Sequence, residues 1–253
     1  MSEQDRAAFA LERHRIERML RRFLIPAIPK GARILSVGCG MGSDVLALRD
    51  MGFDAWGVDP SRLSFETLPP GASEYFRIGT IEDSPFGKER FDFVYALDVI
   101  EHVGCVNFGT VVTPDTASQR VKFISSCLDV LAPGGVLLLT TSNRLCPVDP
   151  GHWHRYHWLG KRFAHRRKPG LSIPWSRKNF LVSLGDVREL VAQAGGQDKF
   201  DVSSYPTAFY PSLSERKDIV SKAITACLKL LDLAPFIGSP LAPILIVKIT
   251  RLD

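Results

Sequence analysis

Apolar residues fall in short runs separated by amphipathic stretches, and the two alternate along most of the chain. The runs 32–38, 54–59, 74–79, 91–97, 136–142, 199–206 and 244–250 are short, continuous or nearly so, and bounded by Gly, Pro or polar residues, which predicts seven strands. Between them, helical spacing recurs. Phe9, Ile16, Met19, Leu20 and Phe23 predict an N-terminal helix over 4–24, ended by Pro26 and Pro29. A second helix starts near Gly42 and stops at Gly52. A third spans 113–132, with Asp115 near its N-cap and Pro133-Gly134-Gly135 closing it. Residues 186–196 predict another, ended by glycines, and 214–233 an amphipathic one with Ile219, Val220, Ala223, Ile224 and Cys227 on one stripe. Only 143–182, rich in proline and aromatics, lacks regular patterning; a stretch that long in a compact domain usually covers a site.

Strand–helix alternation predicts an α/β fold: a Rossmann-like, doubly wound, seven-stranded and mostly parallel sheet in a three-layer α/β/α sandwich. At 253 residues the chain suits one such domain. Five scattered cysteines without CxxC spacing argue against a disulfide framework and a structural zinc, and suit a reducing compartment. The charged N-terminal stretch has no apolar signal core, so a cytoplasmic location is expected. Residues 233–247 carry no charge, but they are too few to span a bilayer and contain Pro235, Pro240 and Pro243. They predict a loop entering a buried strand, with shallow membrane contact left open.

Charge sharpens the picture at one place. Residues 150–185 hold eight Lys and Arg and no acid, more than the whole-chain excess of +5, so the remainder is net acidic. Trp153, Trp158, Trp175 and four histidines share the segment, which suggests a face for an anionic or planar ligand.

Candidate chemistry begins after the first strand, at Gly38-Cys39-Gly40-Met41-Gly42. Glycines permit a sharp turn and close ligand approach, and the following helix offers amides to an anion. The spacing is GxGxG; the dinucleotide pattern GxGxxG fails at Ser43, which weakens a nicotinamide dehydrogenase and favours a smaller anion such as an amino-acid carboxylate. Asp59 ends the second strand, where a carboxylate can accept from both hydroxyls of a ribose or cap the Asp59-Pro60-Ser61 turn.

Four blocks, ILSVGCGMGSDVLAL (34–48), WGVDPS (56–61), FDFVYALDVIEHV (91–103) and LAPGGVLLLTTSN (131–143), together resemble the class I S-adenosylmethionine-dependent methyltransferases, and more narrowly the small-molecule group that includes the ubiquinone-biosynthesis O-methyltransferases. The resemblance implies S-adenosylmethionine as cofactor and an antiparallel seventh strand. It implies that Gly38, Gly40 and Gly42 face the methionine part, that Asp59 with Pro60 holds the ribose, and that Leu97 and Asp98 line the cofactor. Thr80 stands where the family carries an acid, so Ile81 or Glu82 would serve the adenine. It divides one domain, 1–253, into an N-terminal helix (1–30), a cofactor-binding half (31–142), an inserted cover (143–182) and the rest of the sheet (183–253).

The expected reaction is methyl transfer, foremost to an oxygen, of a small or lipid- or glycan-linked metabolite with anionic character. His157, among aromatics, and His102, just past the fourth strand, are the candidate bases. His152, His154 and His157 have ligand-like spacing, yet on irregular chain this does not make a metal site, and none is expected. Asp98-Val99-Ile100-Glu101 replaces the Pro-Pro-aromatic run of base-methylating enzymes, which disfavours nucleic acid. The rival reading is a non-catalytic scaffold of the same fold that binds nucleic acid or protein through 150–185.

Overall fold

In the computed structural model the first strand, β1 (Arg33–Val37), buries Ile34, Leu35 and Val37 on both sides of the sheet. An apolar run without alternation is what a parallel strand between two others needs. The structure describes residues 20–66, 68–69, 71–106, 111–145, 148–149, 170–171, 181–204 and 244–252, with a few single positions elsewhere. The other strands are β2 (Asp54–Asp59), β3 (Phe76–Ile78), β4 (Phe91–Leu97), β5 (Leu131–Ser142), β6 (Phe200–Ser204) and β7 (Ile244–Arg251). The helices are α1 (Ser43–Asp50), α2 (Thr116–Asp129) and α3 (Leu184–Gln193).

The strands form one mixed sheet in the order β6-β7-β5-β4-β1-β2-β3, flanked by helices. β1 pairs in parallel with β2 and β4, and β2 with β3. The Phe91 amide donates to Val130 and the Asp98 amide to Thr140, so β4 and β5 also run together. β7 is reversed. Arg251, at its end, donates to the Leu131 carbonyl at the start of β5 (3.0 Å), and Asn143, past the end of β5, donates to Ala242 ahead of β7 (2.9 Å). The chain reverses direction of travel across the sheet between β1 and β4, and ligands of such sheets bind at the carboxyl ends of those strands.

Contacts group the described residues into two compact units through which the sheet's strands pass. The first comprises described parts of 1–97, 125–138 and 250–253; its core holds Ile34, Leu48, Val58, Phe91, Phe93 and Leu137. The second comprises described parts of 98–124 and 139–249, with Ile100, Ile124, Val187, Val191, Leu245 and Val247 inside.

Several boundaries differ from the sequence reading. Leu20–Leu24 forms a π-helical turn and Ile25–Ala27 a 3-10 turn, so Pro26 lies within helical structure, where an early position tolerates its missing N–H. β3 is shortened by a 3-10 turn over Ala72–Tyr75. α2 ends at Asp129, and β5 reaches back to Leu131 through Pro133-Gly134-Gly135. The positive φ of Gly134 (69°) lets the strand bend there instead of starting after it. α3 begins at Leu184 because Ser183 caps it: its hydroxyl accepts the Asp186 amide, and Asp186 accepts the Ser183 amide in return. Two small antiparallel pairs were not predicted, Cys105–Val106 with Val111–Val112 and Val148–Asp149 with Gly170–Leu171. The apolar end of 233–247 enters β7 as expected. Among the described residues no helix is long and apolar enough to cross a membrane. The body of the predicted N-terminal helix, most of 143–182 and most of 205–243 lie outside the described residues.

Candidate functional site

The glycine loop leaves β1 and is fastened at once to β2. The amides of Gly38 and Cys39 both donate to the Val58 carbonyl (2.8 and 3.2 Å). Gly38, Gly40 and Gly42 all have positive φ (71°, 53° and 73°), a region that only glycine enters freely. Their surroundings differ. A Cβ on Gly42 would collide with the Phe76 ring, whereas one on Gly40 would meet nothing within 4 Å. Gly42 is therefore required by packing against β3, and Gly40 borders open space that a ligand can enter closely. Gly57, on β2 beneath the loop, is also forced small: its Cβ would lie 2.8 Å from both Cys39 Sγ and the Phe76 ring. Burial, with the nearby charges of Asp44 and Asp59 adding to it, raises the Cys39 thiol pKa far above the usual thiol range, so it is an inert packing group.

Asp59 makes the turn foreseen for it and a second bond besides. Its Oδ2 accepts the Gly40 amide (2.9 Å) and its Oδ1 accepts the Ser61 amide (2.8 Å). The second bond is the local turn; the first ties the carboxylate to the glycine loop nineteen residues earlier. A carboxylate has about four acceptor sites, so both oxygens retain capacity for ribose hydroxyls. Pro60 is exposed beside it. After β3, Ile81 is buried at the start of a 3-10 turn over Ile81–Asp83 while Glu82 is exposed. Thr80, which departs from the family pattern, caps that turn with Asp83: the Thr80 amide and hydroxyl both donate to Asp83 Oδ2 (3.0 and 2.9 Å). These bonds hold the Asp83 carboxyl below its ordinary range.

Leu97 is half-buried at the end of β4. In the second unit, Asp98 adopts φ 55°, unusual for a residue with a side chain. Thr140 holds it there: the Asp98 amide donates to the Thr140 carbonyl and Oγ1 (3.0 and 3.1 Å), and Oγ1 contacts Asp98 Oδ1 at 3.1 Å. Such strain concentrates at functional sites. The turn that follows is pinned by Arg120 of α2, whose guanidinium donates to the Glu101 and Val103 carbonyls (3.2 and 3.3 Å). The Glu101 side chain is fully buried. His102 is exposed on this turn, its amide donating to the Val99 carbonyl. His157 lies outside the described residues, as do the other histidines of the insert.

The sequence reading passed over Asp44. This residue of the first turn of α1 accepts the Ser36 hydroxyl (2.8 Å) and the Tyr95 hydroxyl (2.7 Å) on one oxygen. The signal was present as two hydroxyl-bearing residues near the ends of apolar strands, Ser36 on β1 and Tyr95 on β4, which are register partners.

A loop that borders open space at Gly40, anchored by a carboxylate with acceptor capacity, fits a ligand with an amino-acid end and a ribose, so the residues present suit S-adenosylmethionine. Fold and site together define a class I S-adenosylmethionine-dependent methyltransferase. A family model described as a methyltransferase domain matches residues 7–195, and the chain belongs to that family. It is similar to a ubiquinone biosynthesis O-methyltransferase of Cereibacter sphaeroides, 26% identical over 207 residues that make up 79% of this chain and 74% of the relative. Another of that name, from Azorhizobium caulinodans, is 34% identical over 120 residues, 46% of this chain, and the chain spans 42% of its length. The CcbJ methyltransferase of Streptomyces caelestis matches in structure with a TM-score of 0.55 at 11% identity, over 94% of this chain and 90% of that one, which speaks to the fold alone.

Proposed function

We propose that this protein transfers a methyl group to an oxygen of a small metabolite with anionic character. The observation that carries the reading is the pairing of Asp59 with the Gly40 amide, which builds one continuous cradle from the glycine loop and the end of β2. The O-methyltransferase names of the sequence relatives support oxygen as the acceptor atom. In this reading Gly38, Gly40 and Gly42 shape the loop around the methionine end and Asp59 holds the ribose. Ile81 and Glu82 border the adenine, and Leu97 and Asp98 complete the wall. When bound, S-adenosylmethionine supplies a methyl group already activated on a sulfonium. The chain's task is to align the acceptor, exclude water and take up the hydroxyl proton; alignment alone is worth roughly 7–11 kcal/mol. His102 or His157 receives that proton, and segment 143–182 covers the acceptor, its basic residues meeting the anionic group. Such a protein works in the cytoplasm, and the single-domain organisation belongs to the same reading.

The test is S-adenosylhomocysteine formation with small phenols, with and without a carboxylate. Methylation of the carboxylated phenols is expected, reduced about 10²–10⁴-fold in whichever of His102→Ala and His157→Ala removes the base. Cofactor binding without turnover of any phenol would overturn the acceptor class.

A further inference from the structure

Asp44 lies in the first turn of the helix that follows the glycine loop. Its carboxylate bridges Ser36 and Tyr95, which face each other across the β1–β4 pair, so it sits over the point where the sheet's winding reverses. Its backbone lies two residues beyond the glycine loop. Ser36 and Tyr95 are buried, whereas Asp44 keeps some exposure. Its side-chain donors, the Ser36 and Tyr95 hydroxyls, are both neutral. Burial first, and the Asp44 charge second, hold the Tyr95 hydroxyl well above its ordinary range, so it remains a phenol. The Cys39 thiol is likewise held neutral. Asp59, which like Asp44 acts on Cys39, is a second anion and not a counter-ion. Among the described residues no ion pair reaches Asp44. A half-buried carboxylate with no cation beside it is costly, and a cation brought by a ligand relieves it.

We infer that Asp44 is the counter-charge for the cationic amino-acid end of the cofactor. The glycine loop takes the carboxylate of that end, and Asp44, held by Ser36 and Tyr95, takes its positive charge. Both poles of a zwitterion are thereby read from one turn of chain. The inference rests on the cofactor assignment and adds a residue to it.

The test is calorimetric binding of three adenosine compounds to the wild type, Asp44→Asn and Asp59→Ala. S-adenosylmethionine and S-adenosylhomocysteine carry the cationic end; 5′-methylthioadenosine shares the adenosine and lacks it. Asp44→Asn is expected to weaken one or both of the first two roughly tenfold or more and to leave the third unchanged. Asp59→Ala weakens all three. Equal loss across the three compounds in Asp44→Asn, or no loss in any, would overturn the inference. Failure of the wild type to bind any of them would instead remove the cofactor assignment beneath it. Ser36→Ala and Tyr95→Phe keep the charge but loosen it. Both are expected to weaken S-adenosylmethionine severalfold with 5′-methylthioadenosine unaffected, which keeps the inference testable if Asp44→Asn does not fold.

Discussion

Two glycines of one loop separate packing from binding. Gly42→Ala drives a methyl group into Phe76 at a positive φ, so it should lower the melting temperature by several degrees, a loss above about 1 kcal/mol. Gly40→Ala meets only the cost of its φ and should fold, yet it narrows the open space and should weaken S-adenosylmethionine strongly. Thermal unfolding beside calorimetry distinguishes them; equal behaviour of the two variants would contradict the assignment of the open side. Asp44 makes a prediction of opposite sign. Burial raises its carboxyl pKa, so the free protein binds that proton more tightly folded than unfolded. Stability from this group is present at low pH and is lost as pH rises from the ordinary carboxylate range through the raised value. Asp44→Asn should therefore melt no lower than wild type at neutral pH, despite its weaker binding. A large drop in melting temperature would make Asp44 a structural residue. Glycine spacing and Asp59 were legible in the sequence because their partners are local or fixed by the strand–turn–helix motif. Asp44 was not, since its meaning depends on Tyr95, fifty-one residues away and brought near only by the β1–β4 register.

The same division holds among the elements. Strands buried on both faces announced themselves as apolar runs, and six of the seven begin within two residues of where the pattern placed them. β5 is the exception, because Pro133-Gly134-Gly135 reads as a stop whereas Gly134 bends the strand through it. α3 shows how a cap sets a boundary. Arg144 donates to both Asp186 oxygens (2.9 and 2.7 Å), beside the reciprocal Ser183–Asp186 bonds. Burial works to raise the Asp186 carboxyl, but bonds from Ser183 and Arg144 outweigh it and lower the carboxyl below its ordinary range. Its contribution is therefore complete above the usual carboxylate range and disappears as pH falls through the lowered value. Ser183→Ala should cost about 1 kcal/mol. Asp186→Asn should destabilise at neutral pH, with its deficit shrinking in acid. A deficit independent of pH would contradict the charged cap. In the first unit, Arg33 lies over the rings of Trp56 and Phe91, and Arg77 over those of Trp56 and Phe86, so cationic side chains stack on the aromatics of β2 and β4 and on Phe86.

For the whole molecule, the seven-stranded sheet and its reversed β7 are what the strand–helix alternation and the resemblance implied, and membership of the methyltransferase-domain family agrees with them. The cofactor half was legible because its chemistry is carried by backbone turns with few permitted residues. The acceptor side was not, because 143–182 stands out by its composition alone and leaves no spacing rule to read. The central claim is that the glycine loop and Asp59 form an S-adenosylmethionine site, and calorimetric titration with S-adenosylmethionine, S-adenosylhomocysteine and NADH tests it most directly. The account predicts binding of both sulfur compounds in the micromolar range, lost in Asp59→Ala, and none of NADH. A folded protein that binds neither sulfur compound, or binds them equally well without the Asp59 carboxylate, would contradict it.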